Sequence, residues 1–344
     1  MRGIARLAKE LGISTGTVSR ALNGKRDVSE ETRRKVLEAA ARLGYAPNQA
    51  ARALAQGTTR SIGFMIELDP ETAASSDYFF MGVFDGVQSV LTRHGLDLLV
   101  LPCPTTQDRY QYLERFVARG VVDGIILAST QRVDPRVDLL QSVGIPFVTL
   151  GRSTSGDGYS WIDLDFEGVV NTAMDRFVSQ GHSRIAVTLP YGGVNFGAVF
   201  EQAYRAALRR HGLDFDPHLV FETRRNEQAG YRLVDKMIAL DVPPTAILLI
   251  YEVAAIGIYR RLAELGLVPG QDLAVIAFRD EPTVRFLEPS VTCFSVSLRD
   301  IGVSIAEAIL AQFPAHAGAY PSGIVQKLCH LELRAGKSDG PARH

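Results

Sequence analysis

From Ser61 onward the chain alternates short, β-rich apolar runs with amphipathic helical stretches, and this rhythm narrows the possible folds most. The runs fall at Ile62–Ile66, Leu96–Leu101, Gly124–Ala128, Phe147–Leu150, Ile185–Leu189, Leu219–Glu222, Ala246–Ile250 and Ala274–Phe278. Between the first two, Phe80, Val83, Phe84, Val87 and Leu91 share one face at helical spacing. Strand, helix, strand in succession is the pattern of a parallel, doubly wound sheet. Eight such runs exceed one compact sheet of this kind, so the spacing predicts two sheets, hence two lobes with a cleft between them.

The first 60 residues break the rhythm. The 344-residue chain is nearly neutral, with 37 Lys and Arg against 38 Asp and Glu. Residues 1–60 hold 12 of those basic side chains and only 5 acidic ones. A head of charge +7 on a body of −8 points to a polyanion-binding module. Ile4, Leu7, Ala8 and Leu11 recur at helical spacing until Gly12-Ile13 interrupts them. Ser14 is a good N-cap for a second helix that buries Val18, Ala21 and Leu22. That helix turns Thr15, Gly16, Thr17, Ser19 and Arg20 outward, and Asn23-Gly24 closes it. Ser29 caps a third helix, with Val36, Leu37, Ala40 and Leu43 expected inside. Three short basic helices across a tight glycine turn describe a helix-turn-helix. The expected fold class is therefore α/β: an N-terminal all-α helix-turn-helix head plus a two-lobed doubly wound α/β body.

Other classes fall away. Apolar residues make up 46% of the chain, yet no run approaches the ~18 residues of a membrane span. The charged N-terminus lacks the apolar core of a signal peptide, so a cytoplasmic protein without membrane contact is expected. Cys103, Cys293 and Cys329 are odd in number and far apart, which disfavours disulfides and zinc. No GxGxxG, P-loop, HExxH or GxSxG segment occurs. No catalytic residue, metal or cofactor is expected, and an enzyme or a free transport binding protein is a remote alternative.

The run Gly12-Ile13-Ser14-Thr15-Gly16-Thr17-Val18-Ser19-Arg20-Ala21-Leu22-Asn23-Gly24 resembles the lac repressor (LacI/GalR) family of bacterial transcription regulators. The likeness continues through Val28-Ser29-Glu30-Glu31-Thr32-Arg33 and Leu43-Gly44-Tyr45-Ala46-Pro47-Asn48, and more weakly over nearly the whole chain. It implies a helix-turn-helix domain over 1–47 and a hinge helix with linker over 48–60. It further implies an N-terminal lobe of 61–161 plus 295–322, a C-terminal lobe of 162–294 plus 323–336, and a body similar to periplasmic sugar-binding proteins. The polar stretch 337–344 reads as a disordered tail. On DNA the expected contacts are Ser14, Thr15, Gly16, Thr17, Ser19, Arg20, Asn23, Asn48, Ala51 and Leu54, with Leu54 as a minor-groove wedge. Helix one enters from Met1-Arg2-Gly3 without the family's capping Thr or Ser, so a start slightly upstream is expected.

Double-stranded operator DNA of pseudo-palindromic sequence, a homodimeric partner and a small carbohydrate effector complete the implied picture. Ligands of doubly wound sheets bind at the carboxyl ends of strands. Those ends fall at Glu67, Asp77–Phe80, Pro102-Cys103, Ser129-Thr130, Gly151-Arg152, Pro190–Phe196, Tyr251-Glu252 and Arg279-Asp280. Together with the lobe crossing at Asp165 they give Phe79, Ser129, Arg152, Asp165, Asn195, Tyr251, Glu252 and Arg279 as the expected effector contacts. The family pattern is departed from at Gly193-Val194-Asn195-Phe196, at Phe200 where arginine is frequent, at Tyr251-Glu252 and at Arg279-Asp280. Gly151-Arg152 occurs in members that sense glucosides. Arg152 and Arg279 keep an anionic effector, a sugar phosphate or acid, as the alternative.

Overall fold

The computed structural model describes residues 3–22, 27–45, 58–68, 73–316, 318–320 and 323–342. They form two compact units, 1–60 and 61–344.

In the first unit, α1 (Ile4–Leu11), α2 (Thr15–Leu22) and α3 (Glu30–Arg42) enclose a small core of Leu7, Ala8, Val18, Ala21, Val28, Val36, Ala39 and Ala40. Gly12 ends α1 in the left-handed region, which a side chain would strain. Gly3 precedes α1 with no side-chain cap. Ser29 accepts from the Thr32 N–H and caps α3. One inward expectation fails: Leu37 is 50% exposed and Ala39 is buried. Positions 36, 39, 40 and 43 form one helical stripe, and residue 37 sits a full ~100° step off it.

The second unit begins with β1 (Ser61–Leu68), α4 (Ala73–Leu91), β2 (Asp97–Pro104), α5 (Arg109–Ala118), β3 (Gly124–Leu127), α6 (Pro135–Val143), β4 (Phe147–Leu150) and β5 (Ser160–Leu164). It continues through α7 (Phe166–Ser179), β6 (Ile185–Pro190), α8 (Asn195–Arg210), β7 (Val220–Thr223), α9 (Glu227–Ile238), β8 (Ala246–Leu249), α10 (Ala254–Glu264) and β9 (Ala274–Ala277). Last come β10 (Cys293–Ser295), α11 (Leu298–Leu310), β11 (Gln326–Cys329) and β12 (Glu332–Arg334). The first sheet runs β11-β5-β4-β3-β1-β2 and the second β7-β6-β8-β9, both parallel throughout. β10 and β12 pair antiparallel beside the second sheet.

Both sheets are covered on both faces, which explains why β3, β4, β8 and β9 are buried end to end. In the first sheet Ile62, Phe64, Ile126, Val148 and Ile162 share a core with α4 and α11. Met65, Ile125, Leu127 and Phe147 pack with α5 and α6 on the other face. In the second sheet Ile185, Val187, Leu248 and Ile276 meet α7 and α8, and Ile247, Leu249 and Val275 meet α9 and α10. α9 and α10 cross at Gly230 and Gly257, where a Cβ on either would strike the other helix's backbone.

The eight apolar runs all became strands, but β5, β10, β11 and β12 were not read from the sequence; β11 and β12 are largely exposed, so no apolar run marks them. The lobe boundaries move with them. β5 and β11 pair with each other in the first sheet, so the crossings fall after Leu164 and after Cys329 rather than at Trp161 and Ser322. The tail also corrects the reading. Ser338 and Asp339 are buried: Val275 donates to the Ser338 carbonyl at 2.6 Å, and the Thr292 hydroxyl donates to Asp339 at 2.5 Å. Arg176 pairs with Asp339, and Ala342 donates to the Gln180 carbonyl at 3.0 Å. Polar composition suggested disorder, yet those polar groups satisfy the open edge of β9.

Candidate functional site

In the head, Ser14 Oγ accepts from the Thr17 N–H at 3.0 Å and meets the Thr17 hydroxyl at 2.9 Å. This cap starts α2 and leaves Ser14, Thr15, Gly16 and Arg20 exposed, with Thr17 and Ser19 half-buried. A Cβ on Gly16 would meet only Ser14 Oγ at 3.6 Å and Arg20 Nη2 at 3.8 Å, so packing within the head does not require glycine there. Arg20 Nε lies 3.4 Å from Asp27, which tethers the guanidinium beside the exposed end of the helix. An exposed, basic helix N-terminus of this kind fits a DNA major groove. Asn23, Asn48, Ala51 and Leu54 lie outside the described residues.

In the body, loops at the carboxyl ends of both sheets surround a cleft of about 230 Å³. The first lobe brings Glu67 from β1, Phe79 and Phe80 from α4, Ser129 and Thr130 after β3, Gly151 and Arg152 after β4, and Asp163 from β5. The second brings Tyr191 after β6, Val194 and Phe196 around the start of α8, Arg225 after β7, Tyr251 and Glu252 after β8, and Phe278 and Arg279 after β9. Phe196, Phe166 and Phe278 form a stack with ring centroids 5.3 and 4.9 Å apart, backed by Phe200. Phe200 thus holds the aromatic wall where the family resemblance suggested arginine.

Charge in the cleft is paired. Arg152 donates to Asp163 at 2.7 Å and to Glu167 at 2.9 Å. Arg279 donates to Glu252 at 2.6 Å and lies 5.0 Å over the Phe79 ring, linking the two lobes. Arg225 reaches Glu252 at 3.4 Å. Glu67 sits 2.9 Å from Arg109. Arg136, fully buried, chelates Asp134 and donates to the Ser129 carbonyl at 3.0 Å. That bond holds Ser129 in the left-handed region, a strained backbone at the cleft wall. Burial pushes the Asp163 carboxyl up to about 6 against the pull of Arg152. Burial also works against ionised Glu252, but Arg279 and Arg225 hold it below its ordinary range. Burial and neighbouring Glu252 then push Glu281 up to about 8, so this carboxyl carries a proton at pH 7. Arg279 Nη1 has no hydrogen-bond partner among the described residues, and the side chain is 4% exposed.

Of the effector contacts expected from the sequence, Phe79, Ser129, Arg152, Tyr251, Glu252 and Arg279 line the cleft. Two do not. Asp165 caps α7 through the Gly168 N–H at 2.8 Å and bonds His330 at 2.7 Å, tying two crossing segments together. Asn195 donates to the Arg152 carbonyl at 2.7 Å, and its N–H to the Thr130 carbonyl at 2.8 Å. The Asn195 bonds run from lobe to lobe and the Asp165–His330 bond joins two crossing segments, which spacing along the chain cannot reveal. The strand ends read from the sequence held Glu67, Tyr191 and Phe196 without advancing them as effector contacts, and Asp163, Phe166, Arg225 and Phe278 were absent from them. Arg225 follows a strand end and was findable by the same rule; Phe166 was hidden because β5 was. His182 is structural, donating from Nε2 to the Gly340 carbonyl at 2.9 Å and meeting Thr245 Oγ1 at 2.8 Å through Nδ1.

A helix-turn-helix head followed by a two-lobed parallel body with a lined interlobe cleft is the build of a DNA-binding regulator that carries its own small-molecule site. Residues 1–48 match the bacterial regulatory proteins of the lacI family, and residues 174–335 match the periplasmic binding protein-like domain. The chain is 33% identical to the HTH-type transcriptional regulator AglR of Rhizobium meliloti (strain 1021), across 98% of this chain and 94% of that protein. The fold is shared with the lac repressor dimer bound to operator and the anti-inducer ONPF, at TM-score 0.82 and 22% identity over 96% of this chain and 97% of that one. It is shared also with the transcriptional regulator CelR–cellobiose complex, at TM-score 0.71 and 24% identity over 98% and 100%. The chain belongs to the lacI family of bacterial transcriptional regulators; it is a DNA-binding protein and not an enzyme. No described helix is long and apolar enough to cross a membrane, and no described cluster of His, Cys, Asp and Glu could hold a metal ion.

Proposed function

We propose that the protein is a cytoplasmic repressor of carbohydrate-utilisation genes, released from its operator when a neutral sugar binds between the lobes. The observation that carries this is the charge balance of the cleft. Its lining holds three guanidiniums (Arg152, Arg225, Arg279) and three carboxylates (Glu67, Asp163, Glu252), with short Arg–carboxylate contacts already made. Such paired groups chelate hydroxyls without demanding a charged ligand, and the Phe196–Phe166–Phe278 stack offers apolar surface to the C–H face of a sugar ring. The cellobiose bound by CelR supports the same class. The anionic alternative rests on Arg279 Nη1, which is free to take a ligand oxygen.

On DNA, two heads of a homodimer would read a pseudo-palindrome through Thr15, Gly16 and Arg20, with Ser14, Thr17, Ser19 and Asn23 placing the helix on the backbone. Asn48, Ala51 and Leu54 would belong to the hinge expected from the family resemblance, whose helix, about eight residues from Gln49 to Gln56, would be too short to hold alone in water. It would order on the operator with Leu54 wedged into the minor groove. Ligand in the cleft then changes DNA affinity by the same coupling energy with which DNA changes ligand affinity. The test is an anisotropy titration of the full chain on its own upstream DNA at fixed salt, with neutral sugars and their phosphates and acids. One neutral sugar is expected to change affinity about tenfold, roughly 1.4 kcal/mol of coupling. A response confined to anionic compounds overturns the neutral reading.

A further inference from the structure

Tyr191 stands apart from every other described residue of the cleft. It is 63% exposed, whereas the remaining described lining residues are buried or half-buried. The ring follows directly on the end of β6, at the mouth of the cleft. Its N–H is tied to the Thr223 carbonyl at 3.3 Å, and the Arg224 guanidinium lies 5.5 Å from its centroid. The next two residues, Gly192 and Gly193, adopt positive φ of 97° and 72°. A Cβ on either would meet nothing within 4 Å, so the glycines serve the turn, and the ring keeps one face beside Arg224. The enclosed cleft, at about 230 Å³, falls below the roughly 300–1,000 Å³ of sites that engulf a drug-sized ligand. A ligand larger than that volume extends toward the rim, where Tyr191 stands.

We propose that Tyr191 is an outer stacking platform for a second sugar unit, which makes the effector an oligosaccharide of at least two units rather than a monosaccharide. The inner unit occupies the paired charges and the phenylalanine stack. The outer unit lays its apolar face on the tyrosine, recovering hydrophobic area that the free protein leaves in water. The aromatic ring, not its hydroxyl, does this, through the face opposite the Arg224 guanidinium. This inference rests on the neutral-carbohydrate reading above.

The test is calorimetric titration of the full-length protein, and of Tyr191→Ala and Tyr191→Trp, with glucose, galactose and their α- and β-linked di- and trisaccharides. The wild type is expected to bind one oligosaccharide at least about tenfold tighter than its component monosaccharide. Tyr191→Ala is expected to bring the two within about twofold by weakening the oligosaccharide alone, and Tyr191→Trp to keep the preference. Equal losses for both sugars, or no change in either, overturn the platform while leaving the carbohydrate reading intact. Binding of the monosaccharide as tightly as any oligosaccharide by the wild type also overturns it. A wild type that binds no sugar of any length overturns the carbohydrate reading itself.

Discussion

Gly16 is the residue of α2 whose identity the fold explains least, since alanine fits there in ordinary van der Waals contact. Gly costs about 1 kcal/mol relative to Ala inside a helix, so a reason outside the head must keep it. A close approach of the helix backbone to DNA supplies one. Gly16→Ala is expected to raise the head's stability by about 1 kcal/mol in chemical denaturation while lowering operator affinity. Unchanged affinity would assign base reading to Thr15 and Arg20 alone. In the cleft, Arg279 is the residue on which most depends, because Glu252 is buried beside it and Phe79 lies under it. Arg279→Met is expected to cost about 3 kcal/mol by leaving a buried carboxylate with Arg225 only, and to abolish the response of DNA binding to ligand. Thermal unfolding and the anisotropy titration check the two effects separately. Arg279 could be found from its place after a strand, whereas its partnership with Phe79 joins residues 200 positions apart.

At the scale of the element, the segment Ser338–Ala342 acts as an edge cover for β9 rather than as a tail. Ser338 both donates to the Val275 carbonyl at 2.6 Å and accepts the Thr292 N–H at 2.8 Å. Asp339→Ala removes the acceptor of the buried Thr292 hydroxyl and the partner of Arg176. A loss of about 2 kcal/mol is expected, read as a lower unfolding midpoint of the body with DNA affinity of the remaining folded protein unchanged. A midpoint equal to wild type would restore the disordered-tail reading. Elements long enough to show a period, such as α4, were visible in the chain. The three-residue strands β10 and β12 were not, because their pairing is a tertiary event.

For the molecule as a whole, two buried carboxyls set the pH response of the body. Glu281, raised to about 8, and Asp163, raised to about 6, hold protons that the unfolded chain releases near pH 4. Their stabilising contribution is whole below the unfolded value and is lost as pH rises through the folded one. Burial lowers His182 below its ordinary 6.5, so that group costs stability only as pH falls. The body is therefore expected to melt at a lower temperature at pH 9 than at pH 7, and Glu281→Gln to flatten the difference. An equally steep fall in the variant would assign the slope elsewhere. Across the dimer, Leu54→Ala is expected to weaken operator binding far more than non-specific binding, in titrations at matched salt. Equal losses would remove the wedge.

Leu37 apart, the head was readable because its chemistry is local: caps, stripe and basic face all lie within about 45 consecutive positions, and each rests on contacts between near neighbours. The alternation of strands and helices was readable for the same reason. The cleft was readable only as a set of strand ends. Which of those ends meet, that Asn195 binds from lobe to lobe, that Asp165 joins two crossing segments, and that Glu252 and Glu281 lie together beside two arginines were settled by packing. Burial and pairing depend on chain segments brought together across the fold, and no spacing within a single segment encodes them.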